Sequence, residues 1–397
     1  MNQGANLTAY ALQKLLRDWG HDAVNMHLHT NYRNQKEPEY TDFADANIKI
    51  TERHAAGPVS MQIFNQQFDT FIVGSDQVWR NAAEEMFSWK TRVESCFHLS
   101  FAAPGKRRIA VAASFGRGDY TQDSAEREAF SQELRRFAAI SVREKSGQTI
   151  LKELGNFEAE VLIDPVFYLD PSVWHSFAAK KTERKRPLLA YNSFFHQSEM
   201  AEIQAALSAK FDFVDVCSGC TAQWLADIRD ACFVVTDSFH VCCFCLIFGT
   251  PFACLSNAGF GQARFQELAE TFNFSPERII DPADTDCLAA EIRRIMELPY
   301  DDEAVQKAIC HGRSKAHAWL RDALQSPVPE WSGPGFARAT QAEITAEQYS
   351  DNRWLRLHYS RRNLSICKLL LRISPFFRSK LKAKKEKHER LLQEYPW

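Results

Sequence analysis

The side chains best suited to chemistry in this sequence collect where apolar runs end. Residues 232–235 are apolar and partly β-branched, and they meet Thr236-Asp237-Ser238 with His240 two positions on. A second apolar run, 241–248, stops at Gly249 and Pro251. The spacing predicts a buried strand, a tight polar corner and a buried helix. The first turn of a helix has amide N–H groups without intrahelical partners and the positive end of the peptide dipoles, so the corner attracts anions. Asp237, Ser238 and His240 would line a site for a phosphate or carboxylate, and an imidazole exchanges protons near neutral pH. The plainer alternative is that Asp237 or Ser238 caps the helix and His240 is a satisfied core side chain.

The same grammar recurs elsewhere. An apolar run at 69–73 precedes Gly74-Ser75-Asp76-Gln77, so Asp76 and Gln77 would face a cleft as acceptor ligands or an acid–base group; otherwise Asp76 caps the next helix. Arg143 ends the run that starts at Ile140, and its fork is shaped to hold an oxyanion bidentately unless it merely pairs with Glu144 or another acid. Arg264 follows two glycines, 259 and 261, and would bring a second cation to the anion corner. Asn2, Gly4 and Asn6 precede a helical pattern (Ala11, Leu12, Leu15, Leu16, Trp19) that Gly20 ends; they read as a loop that faces a ligand or simply turns the chain.

The elements that must position these residues alternate between strand and helix. Strands are expected at 22–27, 69–73, 95–102, 108–113, from Ile140, at 161–165, 188–193, 213–217, 232–235 and 252–255. Helices are expected at 59–68, 124–138, 198–210, 221–230, 287–298 and 301–324, with loop or short helices over 30–58. Alternation means parallel sheets with right-handed crossovers, hence an α/β chain of two doubly wound, Rossmann-like domains facing across a cleft, the glycosyltransferase-B arrangement. The expected division is an N-terminal, acceptor-side domain over 1–170, a C-terminal, donor-side domain over 185–325, a Pro/Gly-rich linker over 326–350 and a basic tail over 351–397. No strand precedes Asn2, so the first strand of the N-terminal domain is missing from this reading.

Composition is that of a globular protein, with 45% hydrophobic and 25% charged residues among 397, and a net charge of -2 argues against a general nucleic-acid binder. No signal peptide or apolar run of transmembrane length is evident, which makes the cytoplasm the expected location. The 11 cysteines sit mostly in apolar runs and read as reduced; Cys217-Ser-Gly-Cys220 with Cys242, Cys243 and Cys245 is the one metal or redox candidate, against small buried hydrophobes. The tail alternates Arg361, Arg362, Lys368, Arg372 and Lys380 with Leu364, Ile366, Leu369 and Phe376. It reads as an amphipathic helix lying peripherally on an anionic membrane or, alternatively, packed or solvated.

Six ordered stretches carry a resemblance: Asn2-x-Gly-Ala-Asn-Leu-Thr-Ala-Tyr-Ala-Leu, Gly74-Ser-Asp-Gln-Val-Trp, Ser141-Val-Arg-Glu-x-x-Gly, Asp164-Pro-Val-Phe, Val235-Thr-Asp-Ser-Phe-His and Gly-Gln-Ala-Arg-Phe265. Over residues 1 to 325 the chain resembles the polysaccharide pyruvyl transferase family. The resemblance implies transfer of the enolpyruvyl unit of phosphoenolpyruvate to a sugar, free, nucleotide-linked or lipid-linked, forming a pyruvate ketal without metal or cofactor. His240 would then do the acid–base work and Asp76 would orient or deprotonate the acceptor. Arg143, Arg264 and the 239–241 amides would clamp the donor. The chain departs from the family pattern at Ser238, where an Arg can stand, and at Val241-Cys242, where Gly-Thr often follows the His. A nucleotide-sugar glycosyltransferase and a non-catalytic glycan-binding or assembly protein are the alternative readings.

Overall fold

A computed structural model describes residues 3–28, 38–55, 57–80, 96–116, 118–120, 123–181, 183, 186–193, 196–216, 220–256, 262–331 and 336–347. Asn2, Cys217, the glycines at 259 and 261 and the whole 351–397 tail lie outside these residues.

Eleven short strands, β1 (Asn25–Leu28), β2 (Ile50–Ala55), β3 (Thr70–Gly74), β4 (Arg107–Ala113), β5 (Ala139–Val142), β6 (Glu160–Val161), β7 (Leu188–Asn192), β8 (Asp212–Asp215), β9 (Phe233–Thr236), β10 (Phe252–Leu255) and β11 (Ile279–Ile280), form the sheets of the described residues. β1 and β2 make a parallel pair, β3-β4-β5-β6 one parallel sheet, and β11-β10-β9-β7-β8 another. In the second sheet the chain runs from β7 out to β8, then returns to the other side of β7 with β9. The order therefore reverses between β7 and β9. Ligands of open α/β sheets settle outside the carboxyl ends of strands at such a switch point. The Thr236–His240 corner stands there, with Thr236 in register beside Asn192.

The helix that follows, Phe239–Phe248, is apolar all round, and nine of its ten residues are buried. A helix with no polar face must be surrounded. It packs against the Thr221–Asp230 and Asp302–Gln325 helices and the turn at Pro165–Phe167, and it ends at Gly249, whose φ of 68° suits a residue without a Cβ. One core cluster joins it to Leu7 and Ala11 of the Gln3–Asp18 helix, to Ile109 and Val111 of β4, and to Val166, Phe167 and Trp174. The lobes thus share a continuous apolar seam. The Asp302–Gln325 helix crosses back onto the first lobe: Arg313 Nε donates to the Phe167 carbonyl at 2.9 Å and Lys315 pairs with Glu160 at 2.8 Å. Residues 336–347 also return to it, where the Ser60 N–H donates to Glu347 at 2.6 Å.

The structure departs from the sequence reading at several elements. The strand expected at 95–102 is instead helical at 96–97 and turn at 98–102: Leu99 N donates to Cys96 O and Ala102 N to Leu99 O, and Leu99 has φ 53°. Phe97, Leu99 and Phe101 alternate as a strand would, but turns bury Cys96, Leu99, Phe101 and Ala102 instead. Residues 30–58, expected to be loop or short helices, contain the Pro38–Asn47 helix and β2. The helix expected over 59–68 is one α-turn followed by a 3-10 turn at Gln62–Gln66. Gly4 belongs to the first helix rather than to a loop ahead of it.

Candidate active site

At the switch point, β9 delivers the corner. Ser238 is the N-cap of the Phe239–Phe248 helix without a side-chain capping bond, and its N–H donates to Thr236 Oγ1 at 3.0 Å. Asp237 accepts from Ser193 Oγ at 2.9 Å and its N–H donates to the Asn192 carbonyl, so it ties the ends of β7 and β9 together. The first-turn amides 239–241 are left as the electropositive end of the helix.

His240 is buried and packs against backbone, because a Cβ built on Gly4 would collide with its imidazole. Its Nε2 lies 3.4 Å from Thr8 Oγ1 and 3.8 Å from Asp164 Oδ2. Asp164 is the hub. Its fully buried carboxylate accepts from Thr8 Oγ1 at 3.1 Å, Ser75 Oγ at 3.2 Å, Val166 N at 3.1 Å and Arg143 Nη1 at 3.0 Å. Four chain segments of the first lobe thus converge on one group beside the second lobe's histidine.

Arg143 is likewise buried, its guanidinium 4.2 Å from the Phe239 ring centroid and its Nε 3.6 Å from Glu144 Oε2. Glu144 Oε1 meanwhile accepts from Ser114 Oγ and from the amides of Phe115 and Gly116. Arg143 Nε and Nη2 and Arg264 Nε have no hydrogen-bond partner among the described residues. A buried guanidinium with an open N–H edge carries a desolvation cost that an incoming oxyanion would relieve. A cavity of about 720 Å³ lies at this place, lined by Arg143, Glu144, Asp164, Phe239, Arg264 and Glu267 among others. His240 and Asp76 do not line it; Asp164 links it to His240.

The charges are coupled. Burial would strip the proton from Arg143, but Glu144, Asp164 and Asp76 outweigh it and raise its pKa. Burial would raise Asp76, yet His240, Arg143, the Gln77 amide and Arg264 hold it below the ordinary carboxylate range. Burial pushes the His240 imidazole below its ordinary range; Asp164 and Asp76 oppose this and Arg143 and Arg264 add smaller pushes down, and burial prevails, so the resting imidazole is neutral at pH 7. Burial and Arg143 bring Arg264 down to about 10, which leaves it charged.

Of the sequence-derived candidates, His240, Arg143, Arg264 and Asp76 come together, and Gly4 joins them as the space the imidazole needs. Ser238 and Asp237 shape the corner. Gln77 stays within the first lobe, its amide against Gly116 and its Oε1 accepting from Arg80 at 3.3 Å. Asn2 lies outside the described residues. The sequence offers Glu144 only as a pairing partner for Arg143, a contact the structure has at 3.6 Å, and gives Thr8, Ser75 and Glu267 no role. Asp164 has a signal, an acid before proline at a strand's end in one of the six stretches of the resemblance, but nothing in that signal assigns it a role in the site. Among the described residues no group of His, Cys, Asp and Glu could hold a metal ion. Cys242, Cys243 and Cys245 are buried, and burial pushes the Cys243 and Cys245 thiols well up, as suits core packing. No helix among the described residues is long and apolar enough to cross a membrane.

A family model for polysaccharide pyruvyl transferases matches residues 2–259. No curated protein sequence matches the chain. Among solved structures, the UDP-GlcNAc 2-epimerase from Neisseria meningitidis, solved bound to UDP-GlcNAc, superposes with a TM-score of 0.51 at 10% identity, covering 82% of this chain and 97% of that one. The putative UDP-N-acetylglucosamine 2-epimerase from Listeria monocytogenes gives 0.48 at 10% identity, covering 91% and 94%. At such identity the Neisseria likeness speaks to the two-lobed fold alone.

Proposed function

The chain belongs to the polysaccharide pyruvyl transferase family and is a transferase of the glycosyltransferase-B-like fold, and from that premise we propose that its donor is phosphoenolpyruvate. The enolpyruvyl unit is moved to a hydroxyl of a sugar in a polysaccharide or its precursor, a neighbouring hydroxyl closes a pyruvate ketal, and phosphate is released. The observation that carries this reading is the buried Arg143, whose Nη2 lacks a hydrogen bond, beside Arg264 and a helix N-terminus, with Asp164 linking them to His240. A small donor bearing both phosphate and carboxylate matches two guanidinium groups and a dipole end better than a neutral sugar would.

The chemistry needs a proton delivered to the donor's methylene carbon, charge stabilised at C2, and a proton removed from the attacking hydroxyl. The neutral His240 suits the last task, and the ionised Asp76 orients the acceptor and stabilises the imidazolium that forms. Arg143, Arg264 and the 239–241 amides hold the leaving phosphate and the carboxylate. These steps are proton transfers and electrostatic stabilisation, for which side chains suffice, and the proposal includes no metal or cofactor.

The test is phosphate release from phosphoenolpyruvate with a panel of hexosides, wild type against His240→Ala. Loss of the acid–base group should cost about two orders of magnitude in rate or more. Undiminished turnover in the variant removes His240 from the mechanism. Protection of the protein by a nucleoside diphosphate, with none by phosphoenolpyruvate, would replace this reading with a nucleotide-sugar glycosyltransferase.

A further inference from the structure

We propose that Glu267 is the proton donor to the methylene carbon of phosphoenolpyruvate, acting from the wall of the cavity that Arg143 and Arg264 also line; the proposal rests on the donor assigned above. The resting imidazole of His240 is neutral and has no spare proton to give, so the first step needs another acid. Glu267 sits on the Gln262–Phe272 helix of the second lobe, and its Oε1 accepts from the backbone N–H of Lys145 at 2.6 Å. Lys145 opens the Lys145–Gly155 helix of the first lobe, two residues after Arg143. The carboxyl is therefore fixed from both sides of the cleft, within one cavity with both guanidinium groups.

Burial pushes the Glu267 carboxyl up to about 7. Glu144 and Glu270 add to this, while the Lys145 amide and ammonium oppose it; the ammonium is held at 2.7 Å by Glu270. On the rest of the cavity wall the charged or titratable groups are Arg143, Arg264, Asp164, Lys307, His311 and Lys315, the last paired with Glu160. A carboxylic acid that keeps its proton near neutrality, beside cations that stabilise the carboxylate it becomes, has the properties of a general acid.

The step balances. Glu267 gives its proton to C3, which bonds through the C2–C3 π pair, and the acceptor oxygen bonds to the electron-poor C2 as its proton passes to His240. The C2–O bond to phosphate breaks with its electron pair leaving on phosphate, which takes the proton from His240. The second hydroxyl closes the ketal at C2, and its proton restores Glu267.

Glu267→Gln in the full chain tests this, because the amide oxygen still accepts from Lys145 while the proton is lost. We expect kcat for phosphate release to fall about 100-fold or more, with phosphoenolpyruvate affinity by calorimetry within about threefold of wild type. Wild-type kcat should decline as pH rises through about 7, since the acid must be protonated, and the residual activity of the variant should lack that limb. Glu270→Gln, which removes the neighbouring pair to Lys145, should leave kcat near wild type. A smaller loss in Glu267→Gln, an equal loss in Glu270→Gln, or donor binding lost in step with kcat overturns the assignment. Wild-type turnover with an active Glu267→Gln sinks this inference alone, whereas a wild type that releases no phosphate from phosphoenolpyruvate with any acceptor brings down the donor reading and this inference with it.

Discussion

Gly4→Ala probes the placement of His240 from outside the reacting groups. The added methyl would lie where the His240 Cγ, Cβ and Nδ1 now sit, so the ring must shift or the first helix must lift away. The two effects on stability oppose each other. Alanine in place of a helical glycine gains up to about 1 kcal/mol, and forcing a methyl into a packed site costs about 1–3 kcal/mol. The net change runs from about zero to a loss of about 3 kcal/mol. Catalysis has no such compensation, because a displacement near 1 Å carries Nε2 away from Thr8 and Asp164 and can cost about 100-fold in rate. The assay is kcat for phosphate release together with thermal melting, for Gly4→Ala, His240→Ala and the double variant. In the His240→Ala background the clash with the ring is gone and only that with the Cβ remains, so Gly4→Ala should cost less than it does in the wild type, with a coupling of about 0.5–3 kcal/mol. Full activity in Gly4→Ala, or strictly additive melting shifts, would refute the reasoning.

Two further substitutions test the donor end. Arg143→Lys keeps a charge near Asp164 but replaces the fork by a point donor; loss of charge-assisted bonds worth about 1.5–3 kcal/mol should weaken phosphoenolpyruvate binding roughly 10- to 100-fold by calorimetry, and an unaltered affinity counts against the clamp. Asp164→Asn preserves size and an acceptor for Thr8 and Val166 but removes the charge that Arg143 faces, so stability should fall by about 3 kcal/mol or more; a wild-type melting temperature would contradict the role of Asp164 as hub.

Much of the second lobe was legible because its punctuation is local. The 232–251 stretch shows its strand, polar corner, fully apolar helix and Gly249 stop in residue types alone, and the structure has β9, the corner and Phe239–Phe248 there. The 221–230 helix and the 252–255 strand likewise fall at the expected residues. What failed locally failed for physical reasons. β2 is Ile-Thr-Glu-Arg-His-Ala, too polar to announce a strand, and the strand-like alternation of Phe97, Leu99 and Phe101 misleads where turns bury Cys96, Leu99, Phe101 and Ala102. In the site, Arg143 and His240 were visible because their types are rare at strand ends and helix starts. Asp164 was hidden because its local duty, accepting from Val166 N ahead of a proline, is that of an ordinary cap, and its bonds to Thr8, Ser75 and Arg143 span long sequence separations. Glu267 had no local signal: its environment is made by Lys145 and Glu144, more than a hundred residues away.

The most direct measurement is a crystal structure of the full chain soaked with phosphoenolpyruvate. The account predicts a phosphate or carboxylate oxygen within hydrogen-bond distance of Arg143 Nε and Nη2, with the Arg264 guanidinium on the same ligand and the methylene carbon toward Glu267. A donor bound elsewhere, with the open edge of Arg143 still unpartnered, would contradict it.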